Sequence, residues 1–348
     1  MTGKSSLFTI LTGVHEHARV GSLEARAGVT KVPDPRLQAL AEIFQPDKVT
    51  HATLEYVDFP SVSKEALAEP GYLASLRVVD ALAHVLRVFD SDTVPHEKGS
   101  VDPLRDLRDV EAELILSDLA VVEKRLERVE KDRKKIKSPD LDHESEMLSR
   151  CKAALEEGKP LRELTLAPEE EKRIRGFQFL SQKPILYVLN LGEEDAPRLH
   201  DIEAEYRQGP LAGKAQTSVV AVCGKIEAEL AELPPEEAAG YLASFGLKDS
   251  ALERLITATY AALGLESFLT AGETEVRAWT VPRNSPAVKA AGVIHTDFEK
   301  KFIRAEVIDW RDLVRCGGYP GAREKGLLRL EGKEYPVKDG DVLVIRHG

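Results

Sequence analysis

Close to its start the chain runs Gly3-Lys4-Ser5-Ser6 straight into the apolar Leu7-Phe8. A glycine, a lysine and a hydroxyl residue opening a helix make the closing half of the phosphate-binding loop G-x-x-x-x-G-K-[ST]. The chemistry follows from the residue types. Free backbone N–H groups at a helix N-terminus attract phosphate, a lysine reaches the terminal phosphates, and a serine hydroxyl is a hard oxygen ligand for Mg2+. Thr2, Gly3, Lys4, Ser5 and Ser6 are therefore candidate nucleotide-binding residues, with Ser5 also a candidate metal ligand. The triplet by itself recurs by chance in many chains. Its weight comes from standing at a helix start ahead of strand-like sequence.

Three further stretches carry chemistry or its plain alternative. In VDFPS (57–61) an aspartate ends a strand, where Asp58 would suit water-mediated Mg2+ binding; the alternative is an aspartate opening a turn before Pro60. In NLGEE (190–194) Asn190 follows the most apolar run of the chain. Ligands of open α/β sheets bind beyond the carboxyl ends of strands, so Asn190 could meet a purine edge or simply form a turn. HTDFEKKF (295–302) holds His295, Asp297 and Glu299, which read as a polar loop rather than a metal or acid–base site.

The elements that must position these residues are legible from hydrophobic periodicity. THATLEYVDFP (50–60), VVDALAHVLRVF (78–89), KPILYVLNL (183–191) and TSVVAVCG (217–224) contain strands, and their near-continuous apolar character implies a parallel sheet covered on both faces. Between them, Ile115, Leu119, Val122, Leu126, Val129, Arg133 and Ile136 follow a 4-3 spacing, a heptad seam with one charged member. SPD (138–140) breaks it, and Met147, Leu148, Cys151 and Leu155 line a return helix. The result is an antiparallel coiled-coil hairpin inserted in the sheet domain. The stretch 123–137 holds eight basic and four acidic residues. On an exposed hairpin it could contact RNA phosphates, or serve as a solvated face. PPEEAAGYLASFGL (234–247) and DSALERLITATYAALGL (249–265) read as helices. EVRAWTV (275–281), KFIRAEVID (301–309), LRLEGKEYPV (328–337) and DVLVIR (341–346) then read as strands of a small β-rich domain. The expected division is 1–102 with 183–266, an insertion at 103–182, and 267–348.

Composition narrows the class. No run of eighteen apolar residues exists, and the mean hydropathy is −0.26, so no membrane helix is expected. Cys151, Cys223 and Cys316 are too far apart for a metal-binding spacing and are expected to be reduced thiols of a cytoplasmic protein without a leader peptide. A net charge of −11 argues against broad nonspecific nucleic-acid binding, though not against a local basic arm.

Together these pieces resemble the YchF/Obg-like ATPase family of TRAFAC-class P-loop NTPases. The resemblance runs over essentially the whole chain and is most specific in TAGETEVRAWTV and KAAGVIHTDFEKKFIRAEVI, with VPDPRLQALAEIFQP (32–46) and VDPLRDL (101–107) also similar. It implies a P-loop G domain, an inserted helical hairpin and a C-terminal TGS domain of β-grasp type. It implies ATP rather than GTP, because the family carries N-x-x-E where most relatives carry N-K-x-D; here that is Asn190 to Glu193. By the same resemblance Asn190, Leu191 and Glu193 contact the base, Cys223 and Gly224 belong to the last nucleotide loop, and Ser22 stands at the switch I threonine as a Mg2+ ligand beside Ser5 and Asp58. The family links this chemistry to ribosomes and translation or stress control, which would place RNA or ribosome contacts on the hairpin and the TGS domain of a monomer.

Two departures qualify the resemblance. The family's D-x-x-G is D-F-P-S here, with Ser61 in place of glycine, and Val62 follows where Ras-like enzymes carry a water-positioning glutamine. Slow hydrolysis is expected, and catalytic residues are not assigned. The first glycine of the loop and a preceding strand are also missing, so the natural product is expected to begin upstream of Met1. The rival expectation is a nucleotide-independent RNA- or ribosome-binding module with a degenerate G domain.

Overall fold

The six residues Ile185–Asn190 are all buried, and a strand with two dry faces must lie inside a sheet covered on both sides. In the structure, a computed structural model describing residues 2–15, 24–91 and 93–348, this strand sits at the centre of a parallel three-stranded sheet. The chain order is α1 (Lys4–Thr12), β1 (Arg26–Lys31), α2 (Pro35–Phe44), β2 (Lys48–Thr50), β3 (Thr53–Asp58), α3 (Lys64–Ala68), α4 (Pro70–Val78) and β4 (Leu82–Arg87). Then follow α5 (Pro103–Arg133), α6 (Pro139–Glu156), α7 (Pro168–Ile174), β5 (Ile185–Asn190), α8 (Leu199–Gln208), β6 (Thr217–Val222), α9 (Gly224–Leu230), α10 (Pro235–Ser244) and α11 (Ala251–Ala262). The last part is β7 (Leu265–Ala271), β8 (Glu275–Pro282), α12 (Ala287–Ile294), α13 (Thr296–Lys300), β9 (Phe302–Asp309), α14 (Trp310–Arg315), α15 (Tyr319–Glu324), β10 (Arg329–Glu331) and β11 (Asp341–His347).

The chain forms two compact units, one from residues 1–28 and 56–258, the other from 29–55 and 259–348. In the first, β4, β5 and β6 pair in parallel and in register, Leu82 with Ile185 with Thr217 and Arg87 with Asn190 with Val222. Side chains alternate across this sheet. Ile185, Tyr187 and Leu189 point into one core with Leu107, Leu199 and Ile226, while Leu186 and Val188 point into another with Leu7 of α1 and Leu255 of α11. The strand expected in 50–60, β3, does not join this parallel sheet as its sequence implied; it pairs with β1 in a separate two-stranded sheet.

The hairpin follows from the heptad seam. Ile115, Val122 and Val129 of α5 are buried against Met147, Leu148, Cys151 and Leu155 of α6, with Leu119 and Leu126 partly buried beside them. Ion pairs fix the antiparallel register. Arg125 holds Glu144 with two hydrogen bonds of 2.7 and 2.9 Å, Lys152 reaches Glu123 at 2.9 Å, and Arg133 reaches Asp142 at 2.7 Å. The acids of α6 thus cover part of the basic face of α5. The seam ends one step earlier than its spacing predicts. Helix α5 stops at Arg133, so Ile136 falls in the connecting turn and is 63% exposed. At the root, buried Asp118 accepts the amides of Leu180 and Ser181 at 2.9 and 2.7 Å, closing the insertion where the chain returns to β5.

In the second unit the strand order is β10-β9-β11-β7-β8-β2. Two elements differ from the sequence reading. β7 begins at Leu265, so a division at 266/267 falls inside a strand. The stretch 328–337 forms a strand only over Arg329–Glu331, because Gly332 opens a turn whose Tyr335 amide donates back to the Gly332 carbonyl; beyond the turn Pro336 makes a single antiparallel bridge to Pro286.

Candidate functional site

The carboxyl ends of β3, β5 and β6 and the N-terminus of α1 bring most of the chemically pointed residues of the first unit together. Gly3 precedes α1 with φ 83°, a left-handed conformation that glycine takes without cost. Its lack of a side chain matters a second way, since a Cβ there would lie 2.4 Å from Asn190 Nδ2. Asn190, 4% exposed at the end of β5, donates from Nδ2 to the Thr2 carbonyl at 2.9 Å and accepts the Gly224 amide on Oδ1 at 2.9 Å. One amide side chain therefore ties the start of α1 to the start of α9. One Nδ2 hydrogen remains for a ligand.

Lys4 Nζ lies 3.2 Å from Asp58 Oδ1, and Arg26 pairs with the same carboxylate through Oδ2. Burial alone would raise the pKa of Asp58, but the Arg26 hydrogen bond, the Lys4 charge and a hydrogen bond from Ser5 outweigh it and hold the carboxyl below its ordinary range. Asp58 is thus an anion at neutral pH, with two cations and a hydroxyl around it. Ser5 and Ser6 are exposed on the first turn of α1. The donor set suits Mg2+: a hydroxyl and an ionised carboxylate are hard oxygen ligands, and Mg2+ takes few protein ligands when phosphates supply the rest. Among the described residues no cluster of three or more His, Cys, Asp or Glu could hold a metal by itself. Ser22 lies outside the described residues.

The remaining predicted residues divide between surface and core. Glu193, which opens a 3-10 turn after Gly192, forms an ion pair with Lys225 of α9. The Leu191 and Cys223 side chains are 2% and 1% exposed and pack in the core, so they can offer a ligand only main-chain atoms. Burial raises the Cys223 thiol pKa, so it stays protonated. Gly224 is the first residue of α9. Beyond Asp58 the chain is anchored rather than loose. The Tyr72 hydroxyl donates to the Pro60 carbonyl at 3.0 Å, Phe59 meets Tyr72 edge-on at 5.9 Å, and Val62 packs against the cluster that holds Leu114 and Leu180 at the hairpin root. His295 and Asp297 form no part of this site; they lie on the second unit.

Over 353 residues the chain is 41% identical to the ribosome-binding ATPase YchF of Bacillus subtilis (strain 168), an alignment spanning 99% of this chain and 96% of that protein. The chain belongs to the YchF family. A family model of YchF C-terminal regions, YchF-GTPase_C, described as a protein of unknown function (DUF933), matches residues 265–348, starting where β7 starts. Obg-like ATPase 1 of Oryza sativa subsp. japonica is 34% identical over 99% of this chain and 89% of its own length. The solved YchF GTPase of Schizosaccharomyces pombe superposes with a TM-score of 0.82 at 29% identity, covering 99% of this chain and 95% of that one. The YchF fold read from the sequence is thus the fold observed.

Two residues at the site escaped the sequence reading. Arg26 lies in a mostly polar strand, RAGVTK, where nothing in spacing or composition separates it from a surface arginine. In the structure its guanidinium lies 5.1 Å from the Phe8 ring centroid and pairs with Asp58. Lys225 sits two residues after Cys223, and only the three-dimensional approach of α9 to Glu193 singles it out.

Proposed function

We propose that this YchF-family chain binds ATP with Mg2+ at the N-terminus of α1, hydrolyses it slowly, and uses its nucleotide state to govern contact with the ribosome in the cytoplasm. The observation that carries the reading is the convergence of Lys4, Ser5 and Asp58 at one helix end, with Asn190 bridging to the loop that starts α9. The free N–H groups of the first turn of α1 and the Lys4 ammonium would hold the phosphates. An arriving triphosphate competes with Asp58 for Lys4. Ser5 and Asp58 would hold Mg2+, which when bound neutralises charge on the phosphate oxygens.

Asn190, which also braces the start of α1, and Glu193 would meet the base. With Lys225 paired to Glu193, the carboxylate is partly neutralised, which suits the single exocyclic donor edge of adenine better than the two donors of guanine. GTP remains the competing ligand to measure. Slow hydrolysis is supported by Val62, an apolar side chain engaged with the core where a water-orienting polar group would be needed. Ribosome contact is supported by the names of the bacterial relatives and by exposed Lys131, Lys134, Lys135 and Lys137 at the hairpin end.

Calorimetric titration of the full chain with ATP and with GTP, each with Mg2+, tests the nucleotide half. ATP should bind more tightly than GTP, and Lys4→Ala should abolish or greatly weaken binding. Preference for GTP, or no binding of either, overturns that half. Cosedimentation with ribosomes tests the other, which fails if the chain stays in the supernatant at low salt.

A further inference from the structure

On the second unit, a shallow cleft of about 490 Å3 opens between α12, α13 and the end of β11. Its floor is a ladder of rings. Phe298 packs on the core below and stacks against exposed His347, with centroids 4.3 Å apart and planes 19° from parallel; His295 leans on Phe298 at 5.7 Å. The exposed Lys301 lines the same cleft, and Asp297 stands beside His295 at 3.7 Å. A supported aromatic face with a cation and an acceptor alongside matches what an unpaired nucleotide presents: a π-face, a phosphate and amino edges. A protein-core function would not leave a stacked imidazole exposed at the rim, and the His295 Nδ1 is already occupied in accepting the Asp297 amide at 3.2 Å.

We propose that this cleft binds a nucleotide of single-stranded RNA. The base continues the ring stack on the outer face of His347, Lys301 holds its phosphate, and Asp297 accepts from its amino edge. The proposal rests on the ribosome-contact half of the functional reading and gives that contact a place and a chemistry; ATP binding, at the other unit, does not enter it.

The test uses the full chain and fluorescein-labelled 12-nucleotide oligo(A) and oligo(C), read by anisotropy at several salt concentrations. His347→Ala should weaken binding about five-fold or more, within the range seen when a stacking side chain is removed, and His347→Phe should restore it. Phe298→Leu, which keeps a large apolar group on the core, should weaken it as well. Lys301→Gln should lower the slope of log affinity against log salt by about 0.7. ATP titration of every variant should match the unaltered chain. Binding of His347→Ala within two-fold of the unaltered chain overturns the proposal, as does absence of binding by the unaltered chain at 50 mM salt. Ribosome cosedimentation kept in His347→Ala with RNA affinity also unchanged would overturn the cleft assignment and leave the functional reading standing. Loss of ATP binding by Lys4→Ala with RNA binding kept would support two separate sites.

Discussion

Gly3→Ala asks whether one amide side chain holds the phosphate end of the site. At φ 83° alanine costs about 1–2 kcal/mol of backbone strain. Its methyl also cannot share space with Asn190 Nδ2 at 2.4 Å, so Asn190 must swing away and break its bonds to Thr2 and Gly224. At about 1 kcal/mol net for each bond, the change should cost about 3–4 kcal/mol. Asn190→Ala loses the same two bonds and should cost about 2–3 kcal/mol. In that background the clash is gone, and Gly3→Ala should add only its backbone cost. The double variant should then lose about 3–5 kcal/mol, with a coupling near 2 kcal/mol. Both tryptophans, Trp279 and Trp310, lie in the second unit, so intrinsic fluorescence is blind to the event. Hydrogen exchange of a peptide spanning Lys4–Thr12 reads it directly, about five-fold faster exchange for each kcal/mol. Strictly additive losses would refute the view that the two residues act through one contact.

Other perturbations bear on burial and charge. His84 on β4 is half-buried, with its Nδ1 shielded from solvent and without a hydrogen-bond partner among the described residues, and this desolvation pushes its pKa down to about 4. The unfolded chain therefore binds the proton first, so stability should be complete above about pH 6.5 and fall by about 3 kcal/mol between there and pH 4. His84→Gln should flatten that part of a pH–denaturation profile, and an unchanged slope would count against burial as the cause. Asp58 acts lower on the scale. Its folded pKa is depressed, so its contribution is present above the unfolded value of 3.8 and is lost as the pH drops through the folded one; Asp58→Asn should remove that step. Of the thiols, buried Cys151 has its pKa pushed up to about 11, Cys223 is also buried, and Cys316 is half-exposed. A disulfide reagent at pH 8 should titrate one thiol quickly and the other two only after denaturation, with Cys316→Ser removing the fast phase. Leu148→Ala empties a fully buried hairpin position and should cost about 2–5 kcal/mol by chemical denaturation followed by circular dichroism.

The sheet was legible because its signal is local. Five consecutive apolar residues closed by an asparagine need a two-sided cover, and Ile185–Asn190 announces this without its neighbours. The hairpin was legible for the same reason, seam and break lying within one stretch of chain. Ile136 shows the limit: spacing continues past Arg133, but a helix ends where its turn residues end it. Asn190 could be placed at a strand end from sequence, yet its two bonds reach Thr2, 188 residues away, and Gly224, 34 residues away, which no local pattern encodes. Arg26 and the grouping of residues 29–55 with the C-terminal unit are of this kind. The strand Lys48–Thr50 is short and mostly exposed, and only its partner makes it a strand.

That partner carries a consequence for synthesis. Lys48 pairs with Glu275, more than two hundred residues further along. At roughly 5–20 residues per second, a nascent chain holds β2 unpaired for about ten to forty-five seconds before β8 leaves the ribosome. The first unit is complete at Ala258, only about one to three seconds of synthesis before Glu275 is added, so β2 stays unpaired through nearly all of the first unit's synthesis. A fragment cut at residue 265 would never receive β2 at all, leaving the β8 edge bare and prone to pairing with another copy.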